Sequence, residues 1–246
     1  MKSKVYFSDL RSSKTSSPLD KITRLMKKCG IRDVFKRSEI IAVKVHFGEL
    51  GNTAFIKPIY LRPVLDILKN MDTRPFLTDT NSLYAGQRIN SVDHFHNAML
   101  NGFGYSTLQV PVIIADGLRG ENSLEVKIDR PLLQKVHLAS DIVNADGMVA
   151  VSHFKGHELS GFGGAIKNLS MGCASRRGKM DMHSETSPVV AEDECTGCER
   201  CVEHCQVRAI EMKQKAHITD RCIGCARCIA VCPENAIHVS WDATSD

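Results

Sequence analysis

Eight of the ten cysteines in this 246-residue chain fall between positions 195 and 232, and their spacing limits what that stretch can become. Cys195, Cys198, Cys201 and Cys205 follow C-x2-C-x2-C-x3-C, and Cys222, Cys225, Cys228 and Cys232 repeat the pattern 27 residues later. The pair Ala209-Ile210 recurs as Ala236-Ile237 at the same offset, so the repeat extends beyond the sulfurs. Only Cys29 and Cys173 lie outside it. Thiols this dense in a reducing compartment stay free to bind metal, whereas a secreted chain pairs them as disulfides. The opening MKSKVYFSDLRSSKTSS has no apolar run leading to a small-residue cleavage site, so the expected location is cytoplasmic.

The double run has the spacing of bacterial ferredoxins, in which the fourth cysteine of each run ligates the other cluster. Three thiolates from one loop wrap one face of a cubane, and the distant fourth locks the two halves together. The expectation is two [4Fe-4S] clusters, one on Cys195, Cys198, Cys201 and Cys232, the second on Cys222, Cys225, Cys228 and Cys205. Two zinc sites are the alternative, since zinc also takes four thiolates. Zinc ribbons, however, use two separated C-x2-C pairs rather than three cysteines in one loop. The runs differ in one respect: Pro233 follows the last cysteine of the second, and Gln206 that of the first, which leaves the first turn less constrained. A unit of about 50 residues has too small a core to stand on apolar burial, so bound clusters are expected to hold it folded. Its chemistry is single-electron relay. That requires a redox partner, either another protein or the preceding domain.

Charge separates the same stretch from the rest. Residues 190–246 carry 6 Lys+Arg against 10 Asp+Glu; the whole chain has 32 against 28, which leaves 26 against 18 for residues 1–189. A basic body joined to an acidic tail suggests two differently built units: an α/β domain with a ligand site over 1–188 and a two-cluster domain over 189–246. The basic body suits an anionic ligand. It lacks long Lys/Arg runs and interleaved aromatics, so nucleic acid is not an expected partner. Nor is a membrane, because no stretch approaches the roughly 18 apolar residues of a spanning helix. With 43% hydrophobic and 24% charged residues the composition excludes a disordered or coiled-coil chain.

The first 150 residues alternate apolar runs with helical patterns. Strands are expected at Lys4–Leu10, Ile40–Phe47, Pro75–Thr80, Val110–Ala115, Leu124–Ile128 and Gly147–Ser152. Helices are expected at Leu19–Cys29, Tyr60–Met71 and Val92–Leu100. This is an α/β fold with a mainly parallel sheet flanked by helices, followed by a small C-terminal α+β ferredoxin-like domain. Ligands of such sheets bind beyond the carboxyl ends of the strands. Three strands here run into polar, functional-looking residues: Ile40–Val45 into His46, Phe47 and Gly48, Pro75–Thr78 into Asp79, Thr80 and Asn81, and Val149–Ser152 into His153, Lys155 and His157. If parallel, their ends share one crevice.

The segment after the last strand, residues 147–183, adds Gly161, Gly163, Gly164, Lys167 and Asn168. Glycines let backbone amides approach a ligand, and a helix starting near Gly164 would aim its amide end at the same place. It is neither a P-loop nor a G-x-G-x-x-G loop, since position 166 is Ile. The plainer reading is a tight strand-to-helix turn with surface lysines. Asp79, Asn81, Tyr84, Gly86 and Arg88 form a polar loop that also reads as a capped turn. Met171, Met180 and Met182 read as packing, and Cys173 as a buried thiol. His94 and His96, two apart in a helix, point to different faces and make poor joint metal ligands.

The stretches VKVHFGELGN at 43–52, DTNSLYAGQR at 79–88, IIADGL at 113–118 and HFKGHELSGFGGAIKNLSMGCASRRGKMDMH at 153–183 carry a resemblance. With the double cysteine run, they resemble the iron–sulfur-centre proteins whose first domain is catalogued as domain of unknown function 362. The resemblance implies a fold and a domain order, and no settled reaction. A fainter similarity is to the lactate-racemase group, onto whose histidine, glycine-pair and lysine pattern His157, Gly163, Gly164 and Lys167 can be laid. It does not imply that group's nickel cofactor.

Three functions follow. The first is a redox enzyme. Its α/β domain binds an anionic small-molecule substrate or cofactor near Lys44, His46, Asp79, Asn81, Arg88, Lys155, Gly161, Gly163, Gly164, Lys167 and Asn168, and the two-cluster module moves electrons there. The lysines and Arg88 would hold negative charge, while His46, His153 or His157 would move protons. A flavin or another small organic cofactor would fit this role, though no flavin fingerprint is present. The second function is a plain electron carrier with a docking domain. The third is an isomerase or racemase whose clusters are structural.

Overall fold

The computed structural model describes residues 3–131, 133–157, 161–183 and 187–239, without the side chains of His157 and His183. The first helix shows how closely local sequence sets an element. Ser17 caps α1 (Pro18–Lys28) by accepting from the Asp20 amide, while the Asp20 carboxylate accepts from the Ser17 amide at 2.8 Å. Pro18 starts the helix and Gly30 ends it at φ +78°. This is a capping box at one end and a left-handed glycine at the other.

The chain then alternates strand and helix: β1 (Ile40–Val45), α2 (Arg62–Lys69), β2 (Arg74–Asp79), α3 (Ser91–Leu100), α4 (Tyr105–Leu108) and β3 (Val112–Ile114). A hairpin of β4 (Ser123–Lys127) and β5 (Lys135–Ala139), with the short α5 (Ser140–Val143), intervenes before β6 (Gly147–Val151). β1, β2, β3 and β6 form one sheet in the order β3-β2-β1-β6, parallel throughout. This is the expected α/β architecture. β1 and β2 are buried almost end to end, as central strands of a parallel sheet must be. Ile41, Val43, Val45, Phe47 and Leu77 join Leu61, Leu65 and Leu68 in the main core, against which Ile22 and Met26 of α1 pack.

Two expectations change. Lys4–Leu10 is not a strand: it pairs with none among the described residues, and Val5 and Phe7 stand 90% and 87% exposed. Its alternation is a strand pattern without a sheet edge to meet, and an unpaired strand does not hold. Leu124–Ile128 belongs to the separate β4–β5 hairpin, whose second strand the polar-apolar mixture of Lys135–Ala139 concealed.

After β6 come β7 (Lys155–His157) and β8 (Gly161–Gly163), paired antiparallel, then α6 (Ala165–Leu169) and α7 (Arg176–His183). The remainder is an α+β unit: β9 (Val189–Val190), α8 (Arg200–Glu203), β10 (Ile210–Met212), β11 (Ala216–Ile218), α9 (Arg227–Val231) and β12 (Ile237–His238). The 27-residue repeat recurs in its backbone. Gly197 and Gly224, Glu199 and Ala226, and Arg208 and Asn235 all have positive φ, pair by pair at that offset. Gln206 and Pro233 therefore lead into the same left-handed turn, and the missing proline does not change the path. A second core joins Cys201, Ile210, Cys228 and Ile229 to Leu83 and Met180 from the preceding part. The boundary expected at residue 188 is thus bridged by apolar packing.

Candidate functional site

Because β1, β2 and β6 are parallel, their carboxyl ends lie on one side, with Lys44 beside Thr78 on β2 and Ala150 on β6. Lys44 is the centre of what gathers there. Its ammonium, buried, donates to Asp79 Oδ1 at 2.8 Å and to Asn168 Oδ1 at 2.7 Å. Asn168 in turn donates to Ser152 Oγ at 2.9 Å, which ties α6 to the end of β6. On the other side of Asp79, His94 Nε2 lies 3.5 Å and Arg88 4.0 Å from Oδ2. Arg88 is held by Glu49 Oε1, 2.6 Å from Nε, and by the Tyr84 hydroxyl.

These neighbours set the charge states. Burial opposes ionisation of Asp79, but Lys44, helped by His94 and His46, holds its carboxyl well below the usual range. His46 moves the other way: burial, then the positive charge of Arg88, depress it to about 4, with Lys44 and Lys155 adding to the effect. Its Nδ1 accepts the Gly48 amide at 2.8 Å, so at neutral pH the ring carries its proton on Nε2. His46 is therefore a neutral hydrogen-bond donor, not a free base. Burial, then Lys155, lowers Lys167. Behind the site, burial lowers Lys179 to about 8 despite Asp116 and Asp79; its ammonium donates to Thr80 Oγ1 and the Ala174 carbonyl, each at 2.6 Å.

The structure thus brings together Lys44, His46, Asp79, Arg88, Lys155, Lys167 and Asn168. It does not bring Asn81. That side chain is fully buried and donates to Asp116, Ser91 and the Gly117 carbonyl, so it bolts the loop down instead of facing a ligand. Gly161, Gly163 and Gly164 do not form a phosphate-type loop: the first and second belong to the β7–β8 hairpin, and α6, at five residues, is too short to present an amide-rich end. His153 lies beyond β6, half-buried. The side chain of His157 is outside the described residues.

The cysteines surround two cavities. One is lined by Cys195, Cys198, Cys201 and Cys232, the other by Cys205, Cys222, Cys225 and Cys228. Each wall takes three sulfurs from one run and the fourth from the other. Among the described residues no group of three or more Cys, His, Asp or Glu side chains is placed to hold a metal ion. Burial, and then the neighbouring Cys225 and Cys222, push the Cys228 thiol up to about 12. A cleft of about 370 Å3 between α1 and α2 shares no residue with either place, and its Lys27, Arg32 and Arg62 are offset by Asp20 and Asp66.

The model of the family described as Domain of unknown function (DUF362) matches residues 41–230, well over half of the chain. The chain belongs to the DUF362 family. The match does not stop at residue 188 but runs through seven of the eight clustered cysteines, leaving out only Cys232. Among curated proteins none matches the chain. Among the described residues no helix is long and apolar enough to cross a membrane.

Four residues of this DUF362 chain have no site role in the sequence reading and are buried at or behind the site: His94, weighed there only as a metal ligand, Asp116, Arg176 and Lys179. His94 had a signal, since it and Asn97 sit three apart on the face of α3 that carries Ala98 into the core. Asp116 stands two residues past β3, at the same carboxyl edge as Asp79. Arg176 and Lys179 sit in a charged stretch that reads as surface, and only tertiary packing buries them.

Proposed function

We propose that this chain is a redox enzyme: two [4Fe-4S] clusters in the cysteine module exchange electrons with an anionic small molecule or cofactor held at the strand ends. The observation that carries this reading is the crossed composition of the two cysteine cavities, the ligand sharing that goes with the double C-x2-C-x2-C-x3-C run. The donor set fits the group. Four thiolates on one wall repel one another, and an iron–sulfur core supplies the positive charge that makes them compatible. When bound, the clusters supply single electrons.

The residues at the strand ends fit an anion. Among the described residues, Lys44 and Arg88 pair with Asp79 and Glu49, and Lys155 lies near both His46 and Lys167. Lys44 and Arg88 are anchored by those carboxylates and form a fixed floor. Lys155 and Lys167 sit close enough to repel, and an anion between them relieves that repulsion. His46 Nε2–H offers a hydrogen bond to an oxyanion without competing for its charge. A non-redox isomerase would use the same floor but would leave the clusters unchanged during turnover.

The test is protein purified without oxygen, analysed for iron, sulfide and zinc, and extracted for small molecules identified by mass spectrometry. Two clusters' worth of iron and sulfide, with an anionic organic molecule lost in Lys44→Met protein, is the expected result. Zinc in place of iron would overturn the reading.

A further inference from the structure

We propose that the cysteine module is a polarised relay, with the cavity walled by Cys205, Cys222, Cys225 and Cys228 as its higher-potential end because Arg176 is sealed beside it. This rests on the reading that both cavities hold [4Fe-4S] clusters.

Arg176 opens α7 and is wholly buried. Its Nε donates to the Arg119 carbonyl at 3.0 Å and one terminal nitrogen donates to the Ile89 carbonyl. Ile89 packs against the second core, to which Met180, one turn along α7, belongs, and which holds cysteines of both cavities. The link to the second cavity is the loop before β4: the Arg176 amide donates to the Gly120 carbonyl at 2.9 Å, and the next residue, Glu121, pairs with Arg227 of that cavity's wall. The other terminal nitrogen, NH1, is buried and finds no hydrogen-bond partner among the described residues. Cys225 and Cys228 lie within electrostatic reach of the guanidinium.

The charged residues that line the two cavities differ in sign, though Lys215 Nζ also donates to the Cys195 carbonyl at 2.6 Å beside the first. The charged residues lining the first are Glu199 and Glu234; the one lining the second is Arg227. Two carboxylates oppose Arg176 near the second cavity. Glu121 is engaged by Arg227, 2.8 Å away, and Asp116 accepts the Asn81 amide. A Cβ on Gly120 would stand 3.1 Å from both Arg176 Nε and Asp116 Oδ2, so a side chain there would crowd both groups. One-electron reduction adds one negative charge to a cluster and needs no proton. A buried cation stabilises that product and adjacent carboxylates oppose it, most strongly where water is excluded.

With both clusters bound, an electron taken from an external one-electron donor would therefore rest on the second in preference to the first. Asp116, one of the two carboxylates near Arg176, is also the acceptor for Asn81, two positions past Asp79.

Anaerobic full-length protein, its iron and sulfide content measured first, is titrated with dithionite while paramagnetic resonance follows each reduced cluster. Two steps are expected; Cys225→Ser alters the higher-potential one and Cys198→Ser the lower. Arg176→Gln is expected to weaken reduction in the higher step about tenfold, a fall of about 59 mV for one electron, and to leave the lower step in place. Arg176→Lys restores it. The proposal is overturned if Cys198→Ser moves the higher step, if Gln and Lys variants shift alike, or if Arg176→Gln shifts neither step. Should Arg176→Gln fail to keep its clusters, the assignment by the cysteine variants still decides. Protein without iron and sulfide defeats the cluster reading itself, whereas clusters with unpolarised potentials defeat this inference alone.

Discussion

Lys44 and Asp79 meet across adjacent parallel strands, Nζ to Oδ1 at 2.8 Å, with side chains 1% and 4% exposed. Their backbones are fixed by the ladder that sets Lys44 opposite Thr78, so the contact depends on sheet register and not on two flexible surface chains. A pair this deep is held by its surroundings: Asn168 on the ammonium, the Thr80 amide on the same carboxylate oxygen at 2.9 Å.

Breaking it from either side strands a buried charge. Asp79→Asn leaves the Lys44 ammonium without its anion, and Lys44→Met leaves Asp79 to His94 and Arg88. Each single change is expected to cost about 3–5 kcal/mol of unfolding free energy, read from denaturant midpoints. The Lys44→Met/Asp79→Leu double variant, with neither charge to strand, recovers most of that loss while ligand binding stays absent. Additive losses would show that pairing is not what holds the two.

His46 gives the fold an acid-side pH dependence. Its folded value of about 4 lies below the ordinary 6.5. Between those limits the unfolded chain takes up a proton that the folded chain refuses. Stability contributed here is complete above pH 6.5 and falls as pH drops toward 4, by up to roughly 3 kcal/mol. His46→Gln, which keeps an acceptor for the Gly48 amide, is expected to flatten that window. The measurement is the difference between the two proteins' midpoints at pH 5 and pH 7.

Much of this site was legible because parallel strands announce themselves twice, as apolar runs and as the polar residues that end them. IIAVKV followed by His46, RPFLTD followed by Thr80 and Asn81, and GMVAVS followed by His153 put three strand ends on one edge. The cysteine sets were legible because a repeat carries its own register. What stayed hidden is what tertiary packing alone decides. Asn81 looks like a ligand group but points inward to Asp116, and Arg176 and Lys179 look like surface charges but are buried. The exposed Lys4–Leu10 shows the converse, a strand pattern that finds no partner.

Lys179 acts on the alkaline side. Burial lowers its folded value to about 8, below the 10.5 of an exposed lysine. From pH 8 to 10.5 the unfolded chain holds a proton the folded chain has lost, so stability rises with pH across that window. Below pH 8 the folded protein carries a buried ammonium, satisfied by Thr80 and the Ala174 carbonyl. Lys179→Met is expected to remove the alkaline gain; thermal midpoints of both proteins at pH 8 and pH 10 measure it, and parallel pH curves would sink the assignment.

The crossed cavities make a prediction that chain order alone would get wrong. Cys205 sits four residues from Cys201 in sequence, yet it lines the cavity of Cys222, Cys225 and Cys228, while Cys232 lines that of Cys195, Cys198 and Cys201. Cys205→Ala is therefore expected to perturb the same paramagnetic signal as Cys225→Ala, and Cys232→Ala the same signal as Cys198→Ala. Each variant loses or destabilises one cluster and retains iron in the other. If bound clusters hold so small a unit together, both pairs also lower the temperature at which it unfolds. If Cys205→Ala and Cys198→Ala instead affect one signal, each run holds its own metal. The ferredoxin-type arrangement is then replaced by two separate tetrathiolate sites, for which zinc is the fitting ion.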